Sequence, residues 1–377
     1  MKILCMDIGT GTVDMLFANT INEIENNSVL ILPSPTRIIA KKIEKATYRG
    51  KSIVLTGYTM GGGPSTRAVK VHLKKGLKVY ATKNAALTIN DDFEKLSLMG
   101  VKLIDENELK SLPNSVCEII MQDVDLDAIE TALSVFGEEL PSHFAVAVQD
   151  HGFSPKESNR VFRFNHFENI IDKGGDISSF TYTHETIPLY MTRIKALSDI
   201  LKNKKAIFMD TGPAAIFGAL LDVNATQPAI VVNIGNGHTI GALVIDFKIV
   251  ALFEHHTGKI TEKKIQDYII RLADGDLNFK EVFEDRGHGC YIKEYVGFEN
   301  VKSVIITGPK RGILQNMKLE YMDFNLSKKI VFAAPFGNMM LTGSFGLLKA
   351  YLTQENKNTN RLDVFYNSIK NDVCVSI

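Results

Sequence analysis

Short apolar runs alternate with amphipathic stretches along most of the chain. The length and bounds of these runs are typical of β-strands, and the stretches between them are typical of surface helices. This alternation predicts an α/β protein in which strands and helices follow one another. The predicted strands include "SIVLTGYT" (52–59), "HFAVAVQ" (143–149), "KAIFMD" (205–210), "PAIVVNIG" (228–235), "IGALVID" (240–246) and "KSVIITG" (302–308).

The chain begins with a polar turn between two apolar strands, "ILCMDIGTGTVDMLF" (3–17). Glycines in such a turn leave backbone N–H groups free to point at a phosphate. A carboxylate at the strand end could hold a hydrated Mg²⁺ ion, which takes only one or two carboxylates. An ordinary Asp/Gly hairpin turn is the alternative. The residues of this candidate site are Asp7, Gly9, Thr10, Gly11, Thr12 and Asp14, with Asp7 as the metal ligand.

The same design returns in the second half of the chain, as "VVNIGNGHTIGALVI" (231–245). Both segments run from an apolar strand through an acid or amide, Ile-Gly-x-Gly and a hydroxyl residue into a second apolar strand. Two copies predict two lobes that grip one polyphosphate between facing hairpins. The second set of candidate residues is Asn233, Gly235, Asn236, Gly237, His238 and Thr239.

With these hairpins the sequence resembles the superfamily of actin, heat-shock chaperone ATPases and sugar kinases, in which the two turns are called phosphate one and phosphate two. Three further segments follow in the expected order. "MDTGPAAIFGALLD" (209–222) and "GNMMLTGSFGLLKA" (337–350) resemble the two connecting helices, whose small residues permit a close crossing. Between them, "VIITGPKRG" (304–312) resembles the adenosine motif, with Gly308, Pro309 and Lys310 in its turn.

The resemblance implies a two-lobed actin-like ATPase fold, which is a duplicated ribonuclease H-like α/β fold with a nucleotide cleft between the lobes. We expect a first lobe over residues 1–209, a second lobe over 210–342, and a C-terminal helix within 343–377 that packs back on the first lobe. The implied cofactors are ATP and Mg²⁺. The superfamily usually has an aspartate where this chain has Asn233, so Asp7 is expected to carry more of the metal binding, since an amide brings no charge.

A glycine-rich segment, "TGYTMGGGPSTRAVKVHLKKG" (56–76), is a candidate substrate loop. A helix that begins after glycines is an anion site, and basic residues three or four apart share one helix face. The alternative is a flexible loop followed by a solvated basic helix. The predicted substrate-binding residues here are Gly61, Gly62, Gly63, Ser65, Arg67 and Lys70.

A second candidate substrate segment is "VAVQDHGFSPKESNR" (146–160), where Gln149, Asp150 and His151 end a predicted strand. It is similar to a segment that lines the sugar pocket in xylulose and glycerol kinase relatives. A carboxylate at a strand end can accept the proton of a substrate hydroxyl, so Asp150 is the first candidate for a general base. His151 or Arg160 could fix the acceptor.

Rival carboxylates are Asp176, within "DKGGDISSFTYTHE" (172–185), and Asp210. A solvated acidic loop is an equal interpretation of the segment that contains Asp176.

Two histidine clusters, "EHHTG" (254–258) and "DRGHGC" (285–290), raise the question of a metal. Neighbouring His255 and His256 point to opposite faces of a strand and cannot both bind one ion without a kink. A metal held by His151, His256 and His288 is conceivable, although the spacing does not compel it. Contacts to the nucleotide or between closing lobes are the alternative role.

Charge balance and hydropathy limit the expected partners and location of the protein. Lys plus Arg equals Asp plus Glu at 43 each, so no net field favours nucleic acid or an anionic membrane. No run of about 18 apolar residues occurs, and a strand is predicted from Lys2 onward, so we expect a cytoplasmic protein. The expected partners are a nucleotide and a small anionic molecule. A homodimer or a protein client is left open.

Along its full length the chain also resembles an uncharacterised, mainly archaeal family within this superfamily, sometimes labelled as pyruvate formate-lyase activating enzymes. Radical activating enzymes need a CxxxCxxC loop and the related reductive activators need paired cysteines, but the four scattered cysteines of this chain provide neither. Three functions therefore stay open: an ATP-dependent small-molecule kinase or phosphotransferase, a nucleotide-driven switch or protein activator, and a hydantoinase-type enzyme that does not use ATP.

Overall fold

The computed structural model describes residues 1–315 and 329–355. Its strands form three sheets. From one edge to the other, the first sheet contains β3 (Ser28–Pro33), β2 (Thr12–Asn19), β1 (Lys2–Ile8), β8 (His143–Val148), β10 (Lys205–Met209) and β9 (Thr181–Thr183). The second contains β14 (Gly289–Ile292), β13 (Lys248–His256), β12 (His238–Ile245), β11 (Ala229–Ile234), β15 (Ser303–Thr307) and β16 (Lys329–Phe332). The third contains β6 (Val101–Leu103), β5 (Val79–Ala81), β4 (Ile53–Gly57) and β7 (Cys117–Met121).

Helices connect these strands and cover the sheets. They are α1 (Pro35–Tyr48), α2 (Pro64–Lys74), α3 (Lys83–Ala86), α4 (Phe93–Leu98), α5 (Glu106–Lys110), α6 (Leu126–Ser134), α7 (Asn159–Lys173), α8 (Thr192–Ile200), α9 (Thr211–Ala219), α10 (Glu262–Asp274), α11 (Phe279–Glu284) and α12 (Thr342–Gln354). None of the helices in the described ranges is long and apolar enough to cross a membrane.

The first and second sheets share one topology. In the first, β1 pairs antiparallel with β2 and β2 with β3, whereas β1 pairs parallel with β8 and β8 with β10. In the second, β11, β12 and β13 form the antiparallel meander, and β15 and β16 add in parallel to β11. Each half therefore contains the same five-stranded unit, in which the fourth and fifth strands lie beside the first.

The third sheet is an insertion in the first half that the sequence patterns did not reveal. Its four strands are all parallel and lie between β3 and β8 in the chain. Buried apolar residues from α1, α2 and the sheet, among them Ile43, Val69 and Leu55, form its own core. The predicted first lobe thus contains two sheets, each with its own buried apolar residues.

Helices α9 and α12 cross between the two large sheets. A Cβ atom added to Gly218 would collide with the carbonyl oxygen of Thr342, and one added to Gly346 would collide with that of Ala214. The backbones therefore touch at the crossing, which only residues without a side chain allow. Apolar side chains from both sheets and both helices form one continuous buried cluster there.

The C-terminal helix packs against the first sheet, as Ser344 Oγ donates to the carbonyl oxygen of Asp14 at 2.7 Å. This helix ends at Gln354, so the part of the predicted 343–377 helix from residue 356 onward lies outside the described residues. The lobe boundaries at 209 and 342 stay predictions.

Candidate functional site

A cavity of about 650 Å³ lies between the two large sheets. The carboxyl ends of β1, β8, β11 and β15 and the first residues of α9 and α12 line it. Open α/β sheets place ligands at this edge, where the strands end. Both glycine turns that the sequence singled out line the same cavity.

The two turns have matching backbone geometry. Gly9 N donates to Thr12 O at 3.0 Å, and Gly235 N donates to His238 O at 2.9 Å. The turns also touch each other, because a Cβ atom added to Gly11 would collide with the side chain of Asn236. Two glycine turns in contact across a cleft present backbone N–H groups from both lobes to one ligand.

Two buried carboxylates lie at the base of the first turn, and not all of their oxygens have hydrogen-bond partners. Asp7 and Asp14 lie opposite each other on β1 and β2. Each buries an Oδ1 atom that has no hydrogen-bond partner among the described residues. Burial raises the pKa of Asp7 well above its usual value, with further increases from the charges of Asp14 and Asp210. Burial likewise raises the pKa of Asp14 to about 6.

Unpartnered buried carboxylate oxygens are costly unless a cation or proton satisfies them. Magnesium prefers oxygen ligands and needs few carboxylates from the protein, so this pair fits a magnesium site. Gly343 also packs directly on Asp7, since a Cβ atom there would collide with the carboxylate.

The second turn has an amide where the first has an acid. Asn233 takes the place of Asp7 at the end of its strand, and Ile240 lies opposite it where Asp14 lies in the first hairpin. Gly308 packs beside this amide at φ +94°, and a Cβ atom there would lie 2.5 Å from Asn233 Oδ1. Gly308 and Pro309 line the cavity, whereas Lys310 is exposed and is not among the lining residues.

A buried ion network that the sequence analysis missed joins the two halves. Arg163 on α7 donates to both Asp210 oxygens at 2.6 and 2.9 Å and to Glu254 Oε2 at 2.7 Å. Gln149 Nε2 completes the network with a 2.8 Å bond to Glu254 Oε1. Burial alone would raise the pKa of Glu254, but the Arg163 guanidinium and the neighbouring imidazoles of His288 and His238 together lower that pKa. Asp210 directly follows β10 of the first sheet and Glu254 lies on β13 of the second, so Arg163 bridges the two halves.

Asp150, the first candidate for a general base, is held by backbone hydrogen bonds to both of its carboxylate oxygens. Its Oδ2 accepts the backbone N–H groups of Arg193 and Ile194 at 2.9 Å each, and its Oδ1 accepts that of Gly152 at 2.8 Å. The side chain is only 6% exposed. Oδ2 thus anchors the beginning of α8 and Oδ1 holds the turn after β8, which argues against a role as base although the residue lines the cavity.

The rival carboxylates also lack the geometry of a free base. Asp176 is not among the cavity-lining residues and instead accepts Ser179 N at 2.9 Å within its own loop. Asp210 caps α9 through Gly212 N and is paired with Arg163. The rest of the predicted strand end is in the cavity, because Gln149 and His151 both line it.

The glycine loop lines the cavity, but its basic helix does not. Gly61, Gly62 and Gly63 are lining residues, and Asp123 holds the loop by accepting Gly61 N at 3.2 Å. Arg67 and Lys70 are on the exposed face of α2 and are not among the lining residues, which argues against the predicted role of their side chains in substrate binding.

Two other predicted substrate residues have structural contacts. Ser65 is buried, and its hydroxyl lies 3.1 Å from that of Thr36. Arg160 donates to Gly287 O at 2.6 Å and stacks on Phe283, so it contacts the second half instead of the cavity.

The sequence does contain a signal for the buried ion network around Arg163. Arg163 stands four residues before Phe167 and seven before Ile170, on the apolar face of its helix, and Glu254 interrupts the apolar strand "IVALFEHH" (249–256). A charge inside an apolar pattern is rarely buried unless it is paired. Asp91, another lining residue, stands in a polar stretch with no such contrast.

Two five-stranded units of identical topology, facing glycine turns and two helices that cross between them define a duplicated ribonuclease H-like fold, as in the actin-like ATPases. The predicted fold class is therefore confirmed. Residues 60–313 match a family model described as "Putative pyruvate format-lyase activating enzyme (DUF1786)". This match covers about two thirds of the chain, and the chain belongs to this family. No match was found among curated protein sequences.

Solved structures with similar folds have low sequence identity. A protein described as a "putative N-acetylmannosamine kinase" from Listeria monocytogenes is 10% identical, with 94% of this chain and 100% of that chain covered and a TM-score of 0.34. A ROK family protein from Streptococcus pneumoniae in complex with sucrose is 11% identical over 94% and 99%, with a TM-score of 0.33. The activator of the 2-hydroxyisocaproyl-CoA dehydratase from Clostridium difficile with bound ADPNP is 10% identical over 94% and 98%, with a TM-score of 0.28.

Proposed function

We propose that this protein binds a magnesium–nucleotide between its two glycine turns and transfers the terminal phosphoryl group to water or to a small polar acceptor. The observation that carries the proposal is the pair of facing turns above the unpartnered oxygens of Asp7 and Asp14. Backbone N–H groups bind phosphate oxygens, and magnesium neutralises the charge that develops during transfer. The cavity volume of about 650 Å³ is suitable for a nucleotide.

Within this cleft, Asp7 would hold the hydrated magnesium ion, with Asp14 close enough to accept hydrogen bonds from its waters. A magnesium ion bound there would stabilise the charge that develops on the phosphoryl group during its transfer. The turn at Gly308 and Pro309, which lines the same cavity, would receive the base and ribose.

The acceptor would lie in the part of the cavity that the loop of Gly61–Gly63 lines. Asp91 also lines the cavity, three residues after Thr88, which contacts this loop, and burial raises the pKa of Asp91. Its Oδ2 accepts Asn159 Nδ2 at 3.1 Å and Ser154 N at 3.4 Å, and its Oδ1 has no hydrogen bond among the described residues. Because Asp150 uses both oxygens, Asp91 replaces it as the candidate base for a hydroxyl acceptor.

Calorimetry of the full chain with Mg–ATP tests binding, and release or transfer of the labelled phosphoryl group to a panel of polyols and hydroxy acids tests turnover. We expect Asp91→Asn to lower turnover roughly a hundredfold to ten-thousandfold while ATP affinity is unchanged. Arg67→Ala is the control, because Arg67 is exposed outside the cavity. Absence of nucleotide affinity in the wild type would refute the proposal and favour an enzyme that does not use ATP.

A second candidate, a nucleotide-driven switch, has support from the contact between the turns. Gly11 and Asn236 touch, so phosphates that enter between them must separate the two turns. Nucleotide binding would then change the relation of the halves and present a different surface to a client. Slow hydrolysis that no small acceptor stimulates, together with a nucleotide-dependent change in protease sensitivity, would favour this candidate.

A further inference from the structure

Three histidines from distant parts of the chain meet at one wall of the cleft. His151 follows β8, His238 begins β12, and His288 precedes β14. One ring nitrogen from each lies within 4.8 Å of the others. The ring centroids of His238 and His288 are 4.7 Å apart, and His151 lies 5.7 and 5.5 Å from them.

Two of these imidazoles have buried ring nitrogens without the hydrogen bonds that such nitrogens normally make. Both nitrogens of His288, whose side chain is 1% exposed, lack a hydrogen-bond partner among the described residues, and so does Nε2 of His238. By contrast, His184 bonds through both nitrogens, to Ser198 and to the carbonyl of Lys204. An unpartnered buried polar group costs free energy unless a ligand satisfies it.

We propose that His151, His238 and His288 bind a divalent transition-metal ion of the zinc class. Imidazole nitrogens suit Zn²⁺, Co²⁺ and Fe²⁺, whereas Mg²⁺ prefers oxygen, so this site differs in kind from the one at Asp7. Three histidine ligands leave one position of a tetrahedral ion open toward a substrate or water. Metal–nitrogen bonds of about 2.0–2.1 Å bring ligand atoms to within roughly 4 Å of each other, which small rotations of these rings would achieve.

The surroundings of the cluster provide what a histidine-bound ion usually needs. Glu254 Oε2 lies 3.4 Å from Nδ1 of His288, a distance from which a carboxylate can orient a metal-binding ring and offset the charge of the ion. A fourth ring, that of His256, packs beside the cluster, 4.8 Å from the ring of His288 between centroids, and is not one of the three proposed ligands. His255 points away from the cluster to Asp285, as expected for alternate residues on a strand.

The ion would connect the two halves of the molecule. His151 belongs to the first sheet's half, and His238 and His288 belong to the second, where His238 begins the strand that leaves the second glycine turn. Metal binding would therefore hold the cleft wall together beside the phosphate site. It does not require a nucleotide, so this inference can fail or succeed independently of the proposed function.

The test uses the full chain after treatment with a chelator, with the metal alone as the probe. We expect calorimetry to find one Zn²⁺ per chain, and Co²⁺ to give the visible absorption of a four-coordinate nitrogen site. His151→Gln, which changes a half-buried member of the cluster, should weaken binding by more than the roughly 10- to 100-fold cost of losing an outer partner. His143→Gln, a histidine outside the cluster that bonds to Tyr351, should bind as the wild type does.

Thermal unfolding separates loss of a ligand from loss of the fold. The wild type and His143→Gln should gain melting temperature with Zn²⁺ by mass action, and His151→Gln should not, although its melting temperature without metal should stay close to that of the wild type. The inference is overturned if the wild type binds no Zn²⁺ or Co²⁺, or if His151→Gln and His288→Gln both keep the wild-type Co²⁺ spectrum.

Discussion

The two glycine turns have the same backbone but different side chains. The first ends in Asp7 opposite Asp14, two buried carboxylates with unpartnered oxygens. At the corresponding places the second has Asn233 and Ile240, with His238 at its end. Duplication of the fold has therefore preserved the backbone geometry of the turn, while the side chains at the strand ends have diverged. A hard cation suits the first turn, and a nitrogen-preferring ion suits the wall beside the second.

The strongest test of the connection between the halves is Arg163→Ala. Removal of this guanidinium leaves Asp210 and Glu254 buried without their partner, and breaking a buried ion network in this way costs about 3–5 kcal/mol. Arg271→Ala is the control because Arg271 forms its ion pairs at the surface, where they contribute about 1 kcal/mol or less. Denaturant unfolding of both variants measures the difference, and equal losses would contradict a buried bridge between the halves.

The crossing of α9 and α12 provides the next largest effect. Gly218→Ala places a methyl group against the carbonyl oxygen of Thr342 on the facing helix, and forcing backbones apart costs about 3 kcal/mol. A methyl group at Gly258 meets nothing within 4 Å, so Gly258→Ala should be nearly neutral. Thermal unfolding of the two variants checks this, and a stable Gly218→Ala protein would show that the helices do not pack this closely.

Titration of Asp14 distinguishes the acidic turn from the amide turn. The pKa of Asp14 is about 6 in the fold and about 3.9 in an unfolded chain. Between these values the folded state holds the proton and the unfolded state does not, so this group's stabilisation is present below pH 4 and is lost as the pH rises through 6.

The full change for the one group is about 3 kcal/mol. We therefore expect the free energy of unfolding of the metal-free wild type to fall relative to that of Asp14→Asn between pH 4 and pH 6.5. Parallel pH profiles in denaturant titrations would show that Asp14 does not carry this proton.

The magnesium dependence of ATP binding should come from the first glycine turn only. We expect Asp7→Ala to weaken Mg–ATP binding about a hundredfold, or about 2.7 kcal/mol, with little effect on ATP binding without magnesium. Asn233→Ala, the matched change in the second turn, should leave the magnesium dependence intact. Calorimetry with and without Mg²⁺ compares them, and an equal loss in both variants would mean that the turns share the metal.

The smallest expected effect comes from making the turns alike. Asn233→Asp adds the carboxylate that the second turn lacks, and it should leave Mg–ATP affinity equal or raise it by up to about tenfold. Gly308 packs against this side chain, so a folded variant must keep the amide's shape, which aspartate does. A marked loss of Mg–ATP affinity in the same calorimetric assay would show that the amide itself is needed.

The sequence was sufficient for features that depend on local pattern. Glycines between apolar strands predicted both hairpins, and small residues predicted the close crossing of α9 and α12, because each pattern has a steric cause within a few residues. The inserted sheet was missed since strands as short as β5 and β6, of three residues each, give almost no periodic signal.

Site residues that depend on distant partners could not be read in the same way. Asp150 stands at a strand end as predicted, but the N–H groups that occupy it come from residues 43 and 44 positions later. His238 and His288 meet only because β12, β13 and β14 are neighbours in one sheet. The sequence analysis grouped His151 with His256 and His288. The structure groups His151 and His288 with His238 instead of His256.

A crystal structure of the full chain with Mg²⁺ and a non-hydrolysable ATP analogue tests the central claim most directly. We expect phosphates between Gly9–Thr12 and Gly235–Thr239, a magnesium ion on the Asp7 side, and the base beside Gly308. A nucleotide bound outside the cleft, or a magnesium ion coordinated by Asn233 with Asp7 unengaged, would contradict the claim.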